Sequence, residues 1–439
     1  MSRIVLGLVA SLLLAPLLAH AAAAADPYPR LAGILIGSPQ NYWDPAYQQK
    51  MAKLDAVILS VYPGWGSSQK TDMVKAVAQI KALNPKTRVF LYVIGESMKY
   101  PVSAAWVDLG QKVDQQKWWL YQTSSGPNLV LSDFGHETYV MNMTPYAATD
   151  SSGLKFNAWF AKYVSAQFAT PNPLVDGFFT DNVFWKPRRD GDWNRDGKID
   201  SQNDKTVQGW YRQGYADYYK VLKAQMPGKL QIANVADWGD PQAVAPEYQG
   251  MVNGGVMEGI VGKSYSIETL TGGWGLMMAR YRKTMAMFAT PKLGFFNQGG
   301  TPTDYQSMRY GLTSCLMDDG YYAFDDDSKG YSGVVWFDEF DADLGQSTSQ
   351  PALSPWQKGV YRRDFEKGIA LVNPRGNGTQ EVTLEGDFYL IKGTQAPSVN
   401  TGALVRKVTV KDRDGLILLR QTPVKRPMPP QSILNTSTN

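Results

Sequence analysis

The sequence predicts an α/β protein, a (β/α)8 barrel followed by a small antiparallel β-sandwich domain, and three observations carry that expectation. Eight short, β-branched apolar runs alternate with longer amphipathic stretches between residues 31 and 326, the pattern of repeated βα units around a parallel sheet. Polar residues end these runs, where a parallel barrel meets its ligands. After residue 345 the chain changes to brief alternating runs separated by turn residues, as an antiparallel module requires.

Taken in order, residues 1–25 place Arg3 before an apolar run that is too short to span a bilayer and ends in small residues. This reads as a secretory signal peptide, cleaved between Ala21 and Ala25, and predicts an exported protein, periplasmic or extracellular. The barrel is expected over 26–350, with strands LAGILIG (31–37), DAVILSVY (55–62), RVFLYVIGE (88–96), VDGFFTDN (175–182), KLQIANV (229–235), GGVMEGI (254–260), KLGFFNQ (292–298) and GYYAFDD (320–326). Helical patterns fall at 71–83, 105–120, 154–169, 206–226, 273–289 and 303–317, where apolar residues recur at three and four positions. The segment ETYVMNMT (137–144) reads as an extra strand between the third and fourth units. The β-sandwich domain is placed at 359–422, and the Pro-containing tail 423–439 is expected to be disordered.

Composition narrows the chemistry. There are two histidines, one of which, His20, leaves with the signal peptide, and one cysteine, Cys315, in the apolar stretch GLTSCLMDDG. An internal disulfide is impossible, a His-rich zinc site is excluded, and a Ser-His-Asp or Cys-His device would depend on His136 alone. A net charge of +4 without a basic stripe points away from nucleic acid, and no later stretch is long enough for membrane insertion. What remains is 40 Asp and Glu, 13 Trp and 24 Tyr: carboxylates and flat apolar faces, the tools for a carbohydrate polymer or oligosaccharide.

The strand ends supply the candidates. Tyr62 and Trp65 follow the second run, Glu96 the third, Asp181 and Asn182 the fourth, Asn234 the fifth, Asn297 and Gln298 the seventh and Asp325 the eighth. Asn142, in the intervening ETYVMNMT segment, and Trp185 join this substrate-binding set. A carboxylate in an apolar strand end costs desolvation energy unless it has partners or a task, which makes Asp181 the first catalytic candidate; its structural alternative is a loop cap or a partner for a barrel arginine. Glu258 lies within GGVMEGI, where glycines on both sides permit close approach of backbone or substrate. Glu96 is a third acid, able to bind a sugar hydroxyl or to stand in for Glu258 as proton donor.

A second motif, DGDWNRDGKIDSQND, spans 190–204. Asp192, Asn194 and Asp196 occupy positions 1, 3 and 5 of an EF-hand-like loop, Gly197 the turn, Lys198 the carbonyl position and Asp200 position 9. Asn203 stands at position 12, where a bidentate acid is expected, and Asp204 one step later. The loop resembles that of dockerin-type repeats and predicts a structural Ca²⁺, with no organic cofactor.

The series VDGFFTDN, GGVMEGI, WFDEFDADLG, DFEKGIALVNP and DRDGLILL resembles the hypothetical glycosyl-hydrolase-like proteins, closest to the family termed glycosyl-hydrolase-like fifteen, over about 31–420. The resemblance implies a TIM-barrel glycosidase with a C-terminal β-sandwich and leaves the sugar unassigned. The acids on the fourth and sixth strands also look like the arrangement in the α-galactosidase clan and the α-1,4-galactosaminidase group. In the former, the fourth-strand Asp is the nucleophile and the sixth-strand acid the proton donor. Carried over, this implies Asp181 as nucleophile, Glu258 as general acid/base and a retaining mechanism. The alternatives are a catalytically inactive carbohydrate-binding barrel and an exopolysaccharide-assembly protein.

Overall fold

The computed structural model describes residues 26–422 apart from 38, 62–68, 102–106, 124–127 and 244–246. The expected signal peptide and tail, and the candidates Tyr62 and Trp65, lie outside the described residues. Eight parallel strands close into a barrel: β1 (Leu31–Leu35), β2 (Ala56–Ser60), β3 (Arg88–Ile94), β4 (Gly177–Asp181), β5 (Leu230–Asn234), β6 (Gly254–Val261), β7 (Leu293–Gly300) and β8 (Tyr321–Asp326). Each pairs with its sequence neighbour, and β1 closes on β8 with Leu31 opposite Tyr322.

Around the barrel run α1 (Pro45–Ala52), α2 (Gln69–Leu83), α3 (Val107–Gln116), α4 (Phe156–Val164), α5 (Lys205–Gln225), α6 (Gly273–Ala286) and α7 (Tyr305–Leu316). Helix α1 is absent from the sequence expectation; it is short, and its signal is the dipeptide Asp44-Pro45, in which Asp44 caps Ala46 N at 2.9 Å. Between β5 and β6 the described residues form turns in place of a helix. The ETYVMNMT segment contributes Thr138–Val140, which pairs antiparallel with Ser97–Lys99 outside the barrel, so the strand count stays at eight.

Strand periodicity of two sets what fills the barrel. Ala32 and Ile34, Ala56 and Ile58, Phe90 and Tyr92, Phe179, Ile232, Val256, Leu293 and Phe295, and Tyr321 and Ala323 form the inner core. The alternate residues pack outward against the helices, together with Cys315, which is buried in α7.

The C-terminal unit is a five-stranded antiparallel sheet of β9 (Tyr361–Phe365), β10 (Gly368–Asn373), β11 (Gln380–Leu390), β12 (Leu404–Val410) and β13 (Asp414–Leu419), in the order β9-β10-β13-β11-β12. A register shift between Thr383 and Phe388 bends β11, and Val382, Leu384, Val408 and Val410 share a separate core with Ile369, Leu371, Leu416 and Leu418, as in a small sandwich. The opposite face, Ala370, Val372, Ile417 and Leu419, joins the barrel core.

One buried ion pair fastens the two units. Arg309 of α7 donates from Nε and Nη2 to both oxygens of Asp414, at 3.0 and 2.9 Å, with each side chain 5% exposed or less. Removing one partner strands a buried charge, which costs about 3–5 kcal/mol. Asp414→Ala is therefore expected to lower the urea midpoint sharply, and the double replacement Arg309→Met with Asp414→Leu to recover most of the loss; an unchanged midpoint in the single variant would refute this.

Candidate active site

The inward phase of the strands turns polar at one level of the barrel. Asp181, Asn234, Glu258, Asn297 and Asp325 each stand two residues beyond an inner-core residue (Phe179, Ile232, Val256, Phe295 and Ala323, respectively). They form the next inward layer, at the carboxyl ends of the strands, where barrel ligands bind.

Asn234 joins the two leading acids. Its Nδ2 donates to Asp181 Oδ1 and to Glu258 Oε2, at 3.0 Å in each case, so those two oxygens lie at most twice that distance apart. Asp181 Oδ2 also accepts from the Tyr92 hydroxyl at 2.6 Å, and Oδ1 from the Asn182 backbone at 2.9 Å. Burial pushes the Asp181 carboxyl above its ordinary range; the Glu258 charge adds to this, while the Tyr92 and Asn234 donors oppose it.

Glu258 owes its position to a bulge. The β6–β7 register shifts between Met257 and Val261, and Gly259 takes a φ of 57°. A Cβ there would stand 2.8 Å from the Tyr265 ring, and the left-handed φ disfavours most side chains, so glycine suits this position. The Gly259 N–H donates to Asn297 Oδ1 at 2.9 Å, and Asn297 Nδ2 donates to Asp325. From the loop after β8, the Tyr331 hydroxyl donates to Glu258 Oε1.

Two further acids, Glu96 and Asp325, adjoin the pair, and Asp237 lies beyond it near Arg188. Burial drives Glu96, Asp237 and Asp325 each up to about 7. Ser97 and Asn182 lie close enough to Glu96 to pull it back in part, yet Glu96 Oε2, Ser97 Oγ and Asn182 Nδ2 are all buried without a well-formed hydrogen bond. Asn182 has a φ of 55°, a left-handed conformation that Asn tolerates better than most residues, and its carbonyl accepts from the Tyr215 hydroxyl at 3.2 Å.

Two cavities meet at Asp181 and Asn182. One, of about 420 Å³, has mainly apolar walls that include Tyr92, Ile94, Met98, Leu109 and Phe134. The other, of about 470 Å³, is lined by Asn234, Glu258, Arg188, Arg280 and Tyr265, and shares Phe134.

The remaining candidates sit elsewhere. Gln298 is in the outward phase, and its amide donates to the Ser307 carbonyl of α7 at 3.0 Å. Asn142 is 1% exposed and clamps the Trp193 carbonyl at 3.0 Å. Trp185 is buried, and its carbonyl accepts from Arg212. Sequence reasoning missed Tyr92, Tyr331, Phe134 and Arg188. Of these, Tyr92 was accessible from phase alone, since it follows Phe90 on the inward face of β3.

A closed parallel barrel whose mouth gathers paired carboxylates, amides and aromatic walls has the parts that carbohydrate chemistry uses. The chain belongs to hypothetical glycosyl hydrolase family 15, whose profile matches residues 81–369. No curated protein matches it. Among solved structures it is similar to the glycoside hydrolase domain of PelA from Pseudomonas aeruginosa, with 14% identity over 70% of this chain and 98% of that one and a TM-score of 0.43. It is also similar to the GH36 α-galactosidase AgaA from Geobacillus stearothermophilus, with 12% identity over 90% of this chain and 55% of that one and a TM-score of 0.45. Eubacterium rectale Amy13B shares the fold at 8% identity, over 89% of this chain and 95% of that one, with a TM-score of 0.53. No helix among the described residues is long and apolar enough to cross a membrane.

Proposed function

We propose that this protein is a retaining O-glycoside hydrolase acting on a poly- or oligosaccharide, with Asp181 as nucleophile and Glu258 as general acid/base. The carrying observation is the single Asn234 Nδ2 held 3.0 Å from an oxygen of each acid. Retaining enzymes keep their carboxyl groups about 5–5.5 Å apart, whereas inverting enzymes need about 6.5–9.5 Å to seat a water between acid and base. A donor shared at 3.0 Å keeps the nearest oxygens within about 6 Å of each other, which supports the shorter spacing.

The roles follow from the partners. Two side-chain donors, Tyr92 and Asn234, favour the charged form of Asp181, as an attacking carboxylate requires. Glu258 stands on the bulge opposite. In the first half-reaction Glu258 gives its proton to the departing glycosidic oxygen while an Asp181 oxygen bonds to the anomeric carbon. In the second, Glu258 takes a proton from the water that attacks that carbon, and Asp181 leaves as a carboxylate. Cavities on both sides of Asp181 offer room for sugar units flanking the bond. Membership of a glycosyl hydrolase family supports the reaction class, and the segment 1–25 supports export.

The test is a panel of bacterial and plant polysaccharides with mass detection of released oligosaccharides, followed by proton NMR of the first product formed. Retained anomeric configuration is expected. Inversion would remove Asp181 from the nucleophile role, and binding without release would leave a carbohydrate-binding barrel.

A further inference from the structure

The loop from β4 to α5 holds chemistry that glycoside cleavage does not use. Asp192 is 4% exposed, its Oδ1 has no hydrogen-bond partner, and its Oδ2 turns into the loop to accept from Gly197 N at 3.0 Å. Around it, Asn194 Oδ1 accepts from Asp196 N at 2.9 Å, Asp196 Oδ1 from Lys198 N at 2.9 Å, and Asp200 Oδ2 from Asn194 N at 3.1 Å. A bridge between Gly191 and Asp200 closes the base. Among the described residues no salt bridge reaches Asp192, Asp196 or Asp200. Burying a carboxylate oxygen with neither donor nor cation costs several kcal/mol, and alternate-position oxygens around a glycine turn are what a hard divalent cation uses.

We propose that Asp192–Asp200 binds one Ca²⁺ through Asp192, Asn194, Asp196, the Lys198 carbonyl and Asp200, and that the bound ion stiffens the wall of the substrate cleft. The side chains are not yet a finished cage: among the described residues no three His, Cys, Asp or Glu groups stand in metal-binding array. Binding draws the exposed Asp196 and the half-buried Asp200 in toward Asp192, with water completing the shell. Asn203 and Asp204 fall outside the set, because Asn203 accepts from Lys186 at 3.1 Å and Asp204 caps α5 through Thr206 N at 2.7 Å. Ca²⁺ is favoured over Mg²⁺ because a set of oxygens drawn from one loop suits a large ion that tolerates irregular coordination.

The link to the cleft is a set of bonds at the loop's edge. The Trp193 carbonyl accepts from Asn142 and Thr144, both at 3.0 Å. The Asp192 N–H donates to the Tyr121 carbonyl at 2.9 Å, which sets the loop against the stretch between α3 and α4. Arg189 Nε then pairs with Asp133 at 2.8 Å, beside Phe134, which with Asp181 and Asn182 lines both cavities.

The experiment uses the full chain after chelator treatment, titrated calorimetrically with CaCl₂ and, separately, MgCl₂. One Ca²⁺ per chain is expected, with weaker Mg²⁺ binding and a melting midpoint raised by about 3 °C or more at saturation. Amide exchange should slow in 128–144 as well as in the loop. Asp196→Asn, at an exposed position, keeps the loop's hydrogen bonds and is expected to weaken Ca²⁺ binding about tenfold or more, as is Asp192→Asn. No uptake with an unchanged midpoint, or uptake indifferent to both substitutions, overturns the site. Uptake without slowed exchange in 128–144 overturns its link to the cleft.

Discussion

Asp181→Asn is expected to lower kcat by about 10³-fold or more while the protein stays folded, because it removes the carboxylate that the proposed mechanism uses to form the glycosyl bond. The substitution preserves the shape of the side chain and relieves a buried charge, so the melting midpoint should hold or rise. Glu258→Gln is expected to cost about 10²–10⁴-fold on natural glycosides, but the two variants should diverge on a substrate with an acidic leaving group. Such a group departs without a proton, so Glu258→Gln should recover its first step and accumulate the glycosyl-enzyme, whereas Asp181→Asn should recover nothing. Steady-state rates on both substrate types, with mass spectrometry of the protein, make the comparison. If Asp181→Asn, with its fold intact, keeps a rate close to that of the native protein, Asp181 is removed from its role.

The part of this site carried by strands was legible because a strand has a period of two. Asp181, Asn234, Glu258, Asn297 and Asp325 continue the inward phase of Phe179, Ile232, Val256, Phe295 and Ala323, so apolar alternation ending in a polar residue marks the barrel mouth. Reading strand ends without their phase admits Gln298, which faces α7. Applying the phase strictly would have found Tyr92, which donates to Asp181. Tyr331 and Arg188 come from loops, whose residues reach the cleft through tertiary packing that no local period encodes. Asn142 misled for a related reason: a polar residue in an apolar segment suggests a ligand, yet its amide serves the Trp193 backbone, as buried carbonyls require.

Stability should fall as the pH rises from about 5 to 8, opposite to the trend set by paired surface carboxylates. Burial holds Glu96, Asp237 and Asp325 up to about 7 in the folded state, against roughly 4 in an unfolded chain. Between those values the folded protein binds more protons than the unfolded one, so the slope of unfolding free energy with pH is negative. The contribution is fully present below about pH 4 and lost as the pH passes 7, on the order of a few kcal/mol per group at most. An opposing group sets the acid limit: Arg362 draws Glu385 down to about 2, and that stabilisation is lost as the pH falls from about 4 toward 2. The melting midpoint should therefore peak near about pH 4. Glu96→Gln isolates one contributor, since an amide stays neutral in the same pocket between Ser97 and Asn182. It is expected to flatten the decline and to melt higher than the native protein at about pH 8, with little difference at about pH 4. A midpoint that is flat or rises across that range in the native protein would show that these acids are not held neutral by burial.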